Sequence, residues 1–144
     1  MYINRDGVEV SNPDPTSGLY VMSRGAGERV RVILPPGTAN LAFQVGETSQ
    51  IHTGGVLQAT PHAVRGPRPS IAAARGVSRE TMAVFMEPEH SGEMQLPTGK
   101  TVEDVQSGIA IRHLPRSVSS LASRWKVGQN FGDFSEATFS TFYR

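Results

Sequence analysis

The chain has no cysteine, so its chemistry must come from histidine, arginine, lysine, carboxylates and hydroxyls. Disulfides, thiolate zinc sites and cysteine nucleophiles are excluded. Its four histidines are His52, His62, His90 and His113. They are followed by Thr-Gly, Ala-Val, Ser-Gly and Leu-Pro, so none has an acidic residue two positions on. A single histidine in a β-rich chain is ordinarily a surface or hydrogen-bonded group. Arg79 and Thr81 form a more informative pair, because residues two apart on a strand point to one face. A guanidinium presents two parallel donors that match a carboxylate, and a neighbouring hydroxyl can add a third bond. Taken alone, Arg79 also reads as an ordinary surface arginine.

Short strands and turns must position these residues. Gly18 to Arg24 and Glu28 to Pro35 flank Gly25-Ala26-Gly27, a hairpin pattern. In the second run Val30, Val32 and Leu34 alternate with Arg29, Arg31 and Ile33, giving one apolar and one mostly charged face. Pro35-Pro36-Gly37 ends it. Asn40 to Val45 reads as a strand with Leu41, Phe43 and Val45 on its core face, stopped by Gly46. Glu47 to Thr53 suits a helical turn, which Glu47 could cap, and Gly54-Gly55 a tight turn. Strands are expected over Val56 to Val64 and Val77 to Met86, joined by a loop with an alanine-rich middle at 65–77. In the latter strand Met82, Val84 and Met86 lie on one face and Thr81, Ala83 and Phe85 on the other, as in a buried strand. After Pro88 the chain is polar and irregular. Thr101 with Asp104 fits a capped short helix, and Asp133 or Ser135 could cap a last helix through Phe142. Trp125 and Phe131 are expected to pack this tail onto the strands.

About five to seven strands followed by small helices imply a mainly β fold, an all-β sandwich or a jelly roll (double-stranded β-helix) with short C-terminal helices. Residues 1–88 form the barrel portion and 89–144 a loop and helical extension packing on it. A complete jelly roll has eight strands, so part of the barrel is expected to be missing.

Fourteen basic against thirteen acidic side chains leave a net charge of +1, which gives no reason to expect nucleic acid as a partner. Arg65, Arg68 and Arg75 could attract phosphate, but on so neutral a chain they read as a solvated loop. The opening MYINRDGVEV lacks an apolar core of signal-peptide length, and no run reaches the roughly 20 apolar residues of a membrane helix. The expectation is therefore no membrane partner and, by default, a cytoplasmic location.

The segment ANLAFQVGETSQIHTGGVLQATPHAV, followed by VSRETMAVFMEP, resembles the isopenicillin N synthase-like group of Fe(II)/2-oxoglutarate-dependent dioxygenases. In that group a strand, a Gly-Asp/Glu pair, a helical turn, a glycine turn and a strand lead to the distal iron-binding histidine. Gly46-Glu47, Gly54-Gly55 and His62 stand in those places. Arg79 and Thr81 match the Arg-x-Ser positions of the final barrel strand, with threonine keeping the hydroxyl. PDPTSGLYV and RVRVILPPG before this stretch, and FGDFSEATFSTFYR after it, extend the match over most of the chain. The resemblance implies His62 as a metal ligand for Fe(II), and Arg79 with Thr81 on the distal carboxylate of 2-oxoglutarate. It also implies a small-molecule substrate, oxidised as 2-oxoglutarate is decarboxylated to succinate. His62 and Arg79 are 17 residues apart, a longer interval than is usual in the group, and 65–77 is read as an insertion. The group's His-x-Asp pair belongs before the GLYV-like strand and is absent, so the chain reads as a fragment, inactive alone. The alternative is a non-catalytic β-barrel remnant or small-molecule binding module. Open strand edges would favour self-association.

Overall fold

The computed structural model describes residues 1–23, 27–34, 40–107, 114 and 118–142. They fall into two compact units that interleave along the chain. The first takes the described residues of Met1–Ser23, Glu28–Ala42 and His62–Phe85, and the second those of Arg24–Gly27, Phe43–Pro61 and Met86–Arg144.

The first unit holds two open antiparallel three-stranded sheets. In one, β1 (Tyr2–Ile3) lies between β2 (Glu9–Val10) and a later strand, β6 (Ser78–Arg79). Tyr2 faces Val10 on one side and Arg79 on the other. Asn4 closes the β1–β2 turn, its Oδ1 accepting from the backbone N–H of Asp6 (3.0 Å) and Val8 (2.9 Å). Gly7 supplies the left-handed residue (φ 77°) such a turn requires.

The other sheet has β3 (Gly18–Met22) at its centre, flanked by β4 (Arg29–Arg31) and β5 (His62–Arg65). Tyr20 pairs with Arg31 and with Ala63, Val21 with Val30 and His62, and Gly18 with Arg65. Because partners opposite one another share a face, Gly18, Tyr20, Met22, Arg29, Arg31, Ala63 and Arg65 occupy one side. Leu19, Val21, Val30, His62 and Val64 occupy the other. The hairpin pairing expected from the sequence is present; Gly25-Ala26 of its turn and Pro35-Pro36-Gly37 lie outside the described residues.

Asp14 is the buried polar anchor of this unit, with no accessible surface. Its Oδ1 accepts from the Thr16 backbone N–H (2.9 Å) and hydroxyl (2.8 Å), and its Oδ2 from the Arg68 backbone N–H and Nε (both 3.0 Å). The Arg68 backbone N–H foremost, then that of Thr16, holds this carboxyl well below the usual carboxylate range. The anchor fixes the start of α2 (Pro69–Arg75). Residues 65–77 were expected to be a loop. The alanine run, a proline at the first helical position and left-handed Gly76 at the C-cap (φ 58°) together make a helix there.

The second unit carries the apolar core: Ile51, Met94, Val105, Leu121, Trp125, Phe131 and Phe134. Its elements are α1 (Glu47–His52), α3 (Val102–Gln106), a 3-10 turn at Leu121–Ser123 and α4 (Phe131–Phe142). The buried Gln50 side chain donates to the Val105 carbonyl (2.7 Å) and accepts from the Ala59 N–H (2.8 Å), tying α1 to α3. Gly54 and Gly55 turn the chain with φ of 59° and 81°, and a Cβ on Gly55 would collide with the Asp104 carbonyl. α3 has the expected capping box between Thr101 and Asp104. The Thr101 N–H, the dominant cause, holds the Asp104 carboxyl below its ordinary value. α4 is capped not by Asp133 or Ser135 but by Asn130, whose Oδ1 accepts from the Asp133 N–H (2.8 Å). Trp125 and Phe131 are buried, but in this core, which holds no residue of the strands onto which they were expected to pack.

The structure is therefore mixed α/β, and among the described residues no closed barrel or jelly roll is formed. Two expected strands differ most. Residues 40–45 have no strand pairing, and of Val77 to Met86 only Ser78–Arg79 pairs. Leu41, Phe43, Met82, Phe85 and Met86 are exposed rather than core. Alternating apolar residues prescribe which face a strand would bury, but burial also requires a neighbouring strand to cover it. Of Val56 to Val64, only the segment from His62 onward pairs.

Candidate functional site

His62 opens β5, an edge strand, and is exposed on the side of its sheet shared with Leu19, Val21, Val30 and Val64. Arg79 ends β6, an edge strand of the other sheet, and is half-buried. The two residues implied to share a site thus stand in different sheets of the first unit. Arg79 and Thr81 do come together: Arg79 Nη1 donates to Thr81 Oγ1 at 2.8 Å. Ser78 pairs instead with Glu80, its hydroxyl donating to Oε1 at 2.9 Å, as alternation along an extended chain requires.

The Arg79–Thr81 contact has a chemical consequence. Thr81 Oγ1 accepts from the guanidinium, so its own O–H is directed elsewhere and can donate to an anion beside Arg79. The guanidinium retains four further N–H donors. A guanidinium and a hydroxyl joined in this way carry the donors that one carboxylate can accept.

An iron centre needs more. Non-heme Fe(II) oxygenases use two histidines and a carboxylate on one face. Among the described residues no three His, Asp or Glu side chains are grouped so as to hold a metal ion. His62 by itself does not fit such a centre. His113 lies outside the described residues. His90 packs its ring against Gly132 at the start of α4, where a Cβ would overlap it.

Two features were not foreseen in the sequence. Arg124, whose side chain is 2% exposed, makes a two-pronged ion pair with Glu47 (2.6 and 2.7 Å). Glu47 is thus spent on Arg124; Gly46 stands at the cap position of α1, with no side-chain cap bond. The second is the concentration of arginines on one side of the β4-β3-β5 sheet. The alternation of Arg29 and Arg31 signals two of the three; Arg65 joins only through the strand pairing. Of the three arginines grouped in the sequence, Arg68 is paired with Asp14 and Arg75 ends α2.

Compared with family models, with curated proteins and with solved structures, the chain has no match. No helix among the described residues is long and apolar enough to cross a membrane.

Proposed function

We propose that this chain carries the distal histidine and the co-substrate strand of a jelly-roll Fe(II)/2-oxoglutarate-dependent dioxygenase of the isopenicillin N synthase-like group. We further propose that its 144 residues do not by themselves turn over 2-oxoglutarate. The order Gly46-Glu47, Gly54-Gly55, His62, Arg79, Thr81 supports the first part. The observation that carries it is the Arg79–Thr81 hydrogen bond, which prepares a guanidinium and a hydroxyl for one carboxylate. The absence of a three-ligand group among the described residues supports the second part. One imidazole supplies neither the charge nor the geometry for tight Fe(II) binding. In this reading Arg79 and Thr81 receive the distal carboxylate of 2-oxoglutarate, and His62 stands at one metal-ligand position. The substrate of the complete site is a small organic molecule.

The purified chain, supplied with Fe(II), ascorbate and 2-oxoglutarate, is expected to form no succinate above a protein-free blank. Succinate formation that disappears in His62→Ala would overturn the inactivity of the isolated chain.

A second reading, a non-catalytic small-molecule binding module, is favoured by one observation: a surface depression of about 240 Å³ lined by two of the sheet arginines.

A further inference from the structure

We propose that the arginine-bearing side of the β4-β3-β5 sheet binds a phosphorylated small molecule. This inference stands apart from the oxygenase reading, because His62, Arg79 and Thr81 take no part in it. Strand register places Arg29, Arg31 and Arg65 on one side of a three-stranded sheet, together with Tyr20 and Ala63. Neighbouring strands are about 4.8 Å apart, so three side chains of guanidinium length can converge on one ligand. Gly18 clears the way for this convergence. It sits opposite Arg65 and has no side chain, and the Arg31 stem lies across it, its Cγ and Cδ 3.7 Å from where a Cβ would be. Arg31 thereby leans over the central strand toward Arg65.

Of this side, Arg29, Arg65, Tyr20 and Ala63 line a depression of about 240 Å³, together with Val64, and Arg31 stands next to Gly18 beyond that lining. The Tyr20 hydroxyl donates to the Thr16 carbonyl (2.7 Å), which fixes the ring. Among the described residues, the two ion pairs are Arg68–Asp14 and Arg124–Glu47, so none of Arg29, Arg31 and Arg65 has a carboxylate partner. The strands contribute no acidic side chain to this side. Two unneutralised guanidinium groups at the depression, with that of Arg31 on the same side of the sheet, match a multiply charged tetrahedral anion better than a single carboxylate. Each guanidinium can bind phosphate oxygens in a fork. Free phosphate and a phosphate ester present the same group, and the ester would add contact with Tyr20 and Ala63 of the lining.

The test is titration of the full chain with inorganic phosphate and with phenyl phosphate, read by calorimetry at constant ionic strength, with acetate as a monocarboxylate control. Saturable one-to-one binding is expected for the phosphates and none for acetate. Arg29→Gln and Arg65→Gln are each expected to weaken binding about tenfold, the effect of losing one charge-assisted contact. Arg75→Gln, on α2, should change it less than about twofold. Thermal unfolding by circular dichroism establishes that each variant is folded. Tighter binding of phenyl phosphate assigns the site to a phosphate ester, and equal binding assigns it to the free ion. Absence of saturable binding, or equal losses in Arg75→Gln and Arg65→Gln, overturns the proposal.

Discussion

Removing the Glu47 carboxylate should damage this protein more than removing the arginine it holds. Arg124 is buried at the junction of α1, the 3-10 turn and α4, and its guanidinium has four hydrogen bonds. Two go to Glu47, one to Thr138 Oγ1 (3.0 Å) and one to the Ser119 carbonyl (3.2 Å). It also lies over the rings of Phe134 (5.8 Å) and Phe142 (5.4 Å). In Glu47→Ala the guanidinium keeps its burial and loses its counter-charge and half its bonds. Such losses cost about 3–5 kcal/mol. The Glu47 side chain is 32% exposed, so the pair is partly hydrated and the lower end, about 3 kcal/mol, is expected. For a chain of this size that is a fall in Tm of about 10 °C. Arg124→Met removes the charge, keeps volume beside the two rings, and leaves Glu47 able to turn to water; about 1 kcal/mol is expected. The double variant should therefore be more stable than Glu47→Ala alone. The assay is urea unfolding followed by the fluorescence of Trp125, which adjoins Arg124 and is 2% exposed. Equal costs for the two single variants, or a cost below about 1 kcal/mol for Glu47→Ala, would refute the reasoning.

Three more outcomes follow from particular residues. Asp14 and Asp104 titrate lower when folded than when unfolded, so the stability they add is present above the ordinary aspartate pKa of about 3.9 and is lost as pH falls below it. Urea unfolding at pH 5 and pH 3 should show this loss, and Asp14→Asn should flatten it; an unchanged pH dependence contradicts the anchor. Gly55→Ala must accept both a left-handed φ and a collision with the Asp104 carbonyl, whereas Gly7→Ala meets open space and only the φ. The first should cost at least about 2 kcal/mol and the second about 1 kcal/mol in chemical unfolding. Exposed Leu41, Phe43, Met82, Phe85 and Met86 should drive self-association in sedimentation velocity, relieved by Phe85→Ser with Met82→Ser; a monodisperse wild-type monomer contradicts this.

Local signals in the sequence were read well. The Thr101–Asp104 box, the helical turn at 47–52, the Gly54-Gly55 turn and the hairpin pairing of β3 with β4 all rest on neighbours within a few positions. The helix at Pro69–Arg75 is legible too, in Pro69, the alanines and Gly76, but the resemblance favours an inserted loop over 65–77. What could not be read locally were partners far along the chain. Asp14 meets Arg68 across 54 positions, and Glu47 meets Arg124 across 77. No periodicity announces such pairs. The apolar runs at 40–45 and 82–86 failed for the converse reason, since their alternation is intact but no strand among the described residues covers them. Of the candidate site, the Arg79–Thr81 pairing followed from alternation alone, while the placement of His62 in a separate sheet depended on long-range strand order.

The most direct test of the proposed descent is whether Arg79 and Thr81 hold a dicarboxylate without metal. Ligand-observed NMR of the full chain with 2-oxoglutarate and with glutarate should show weak binding of both to a similar degree, because only the distal carboxylate is held. Arg79→Gln should abolish it and Thr81→Val should weaken it, while His62→Ala leaves it unchanged. Binding of 2-oxoglutarate that survives Arg79→Gln would contradict the assignment of this strand.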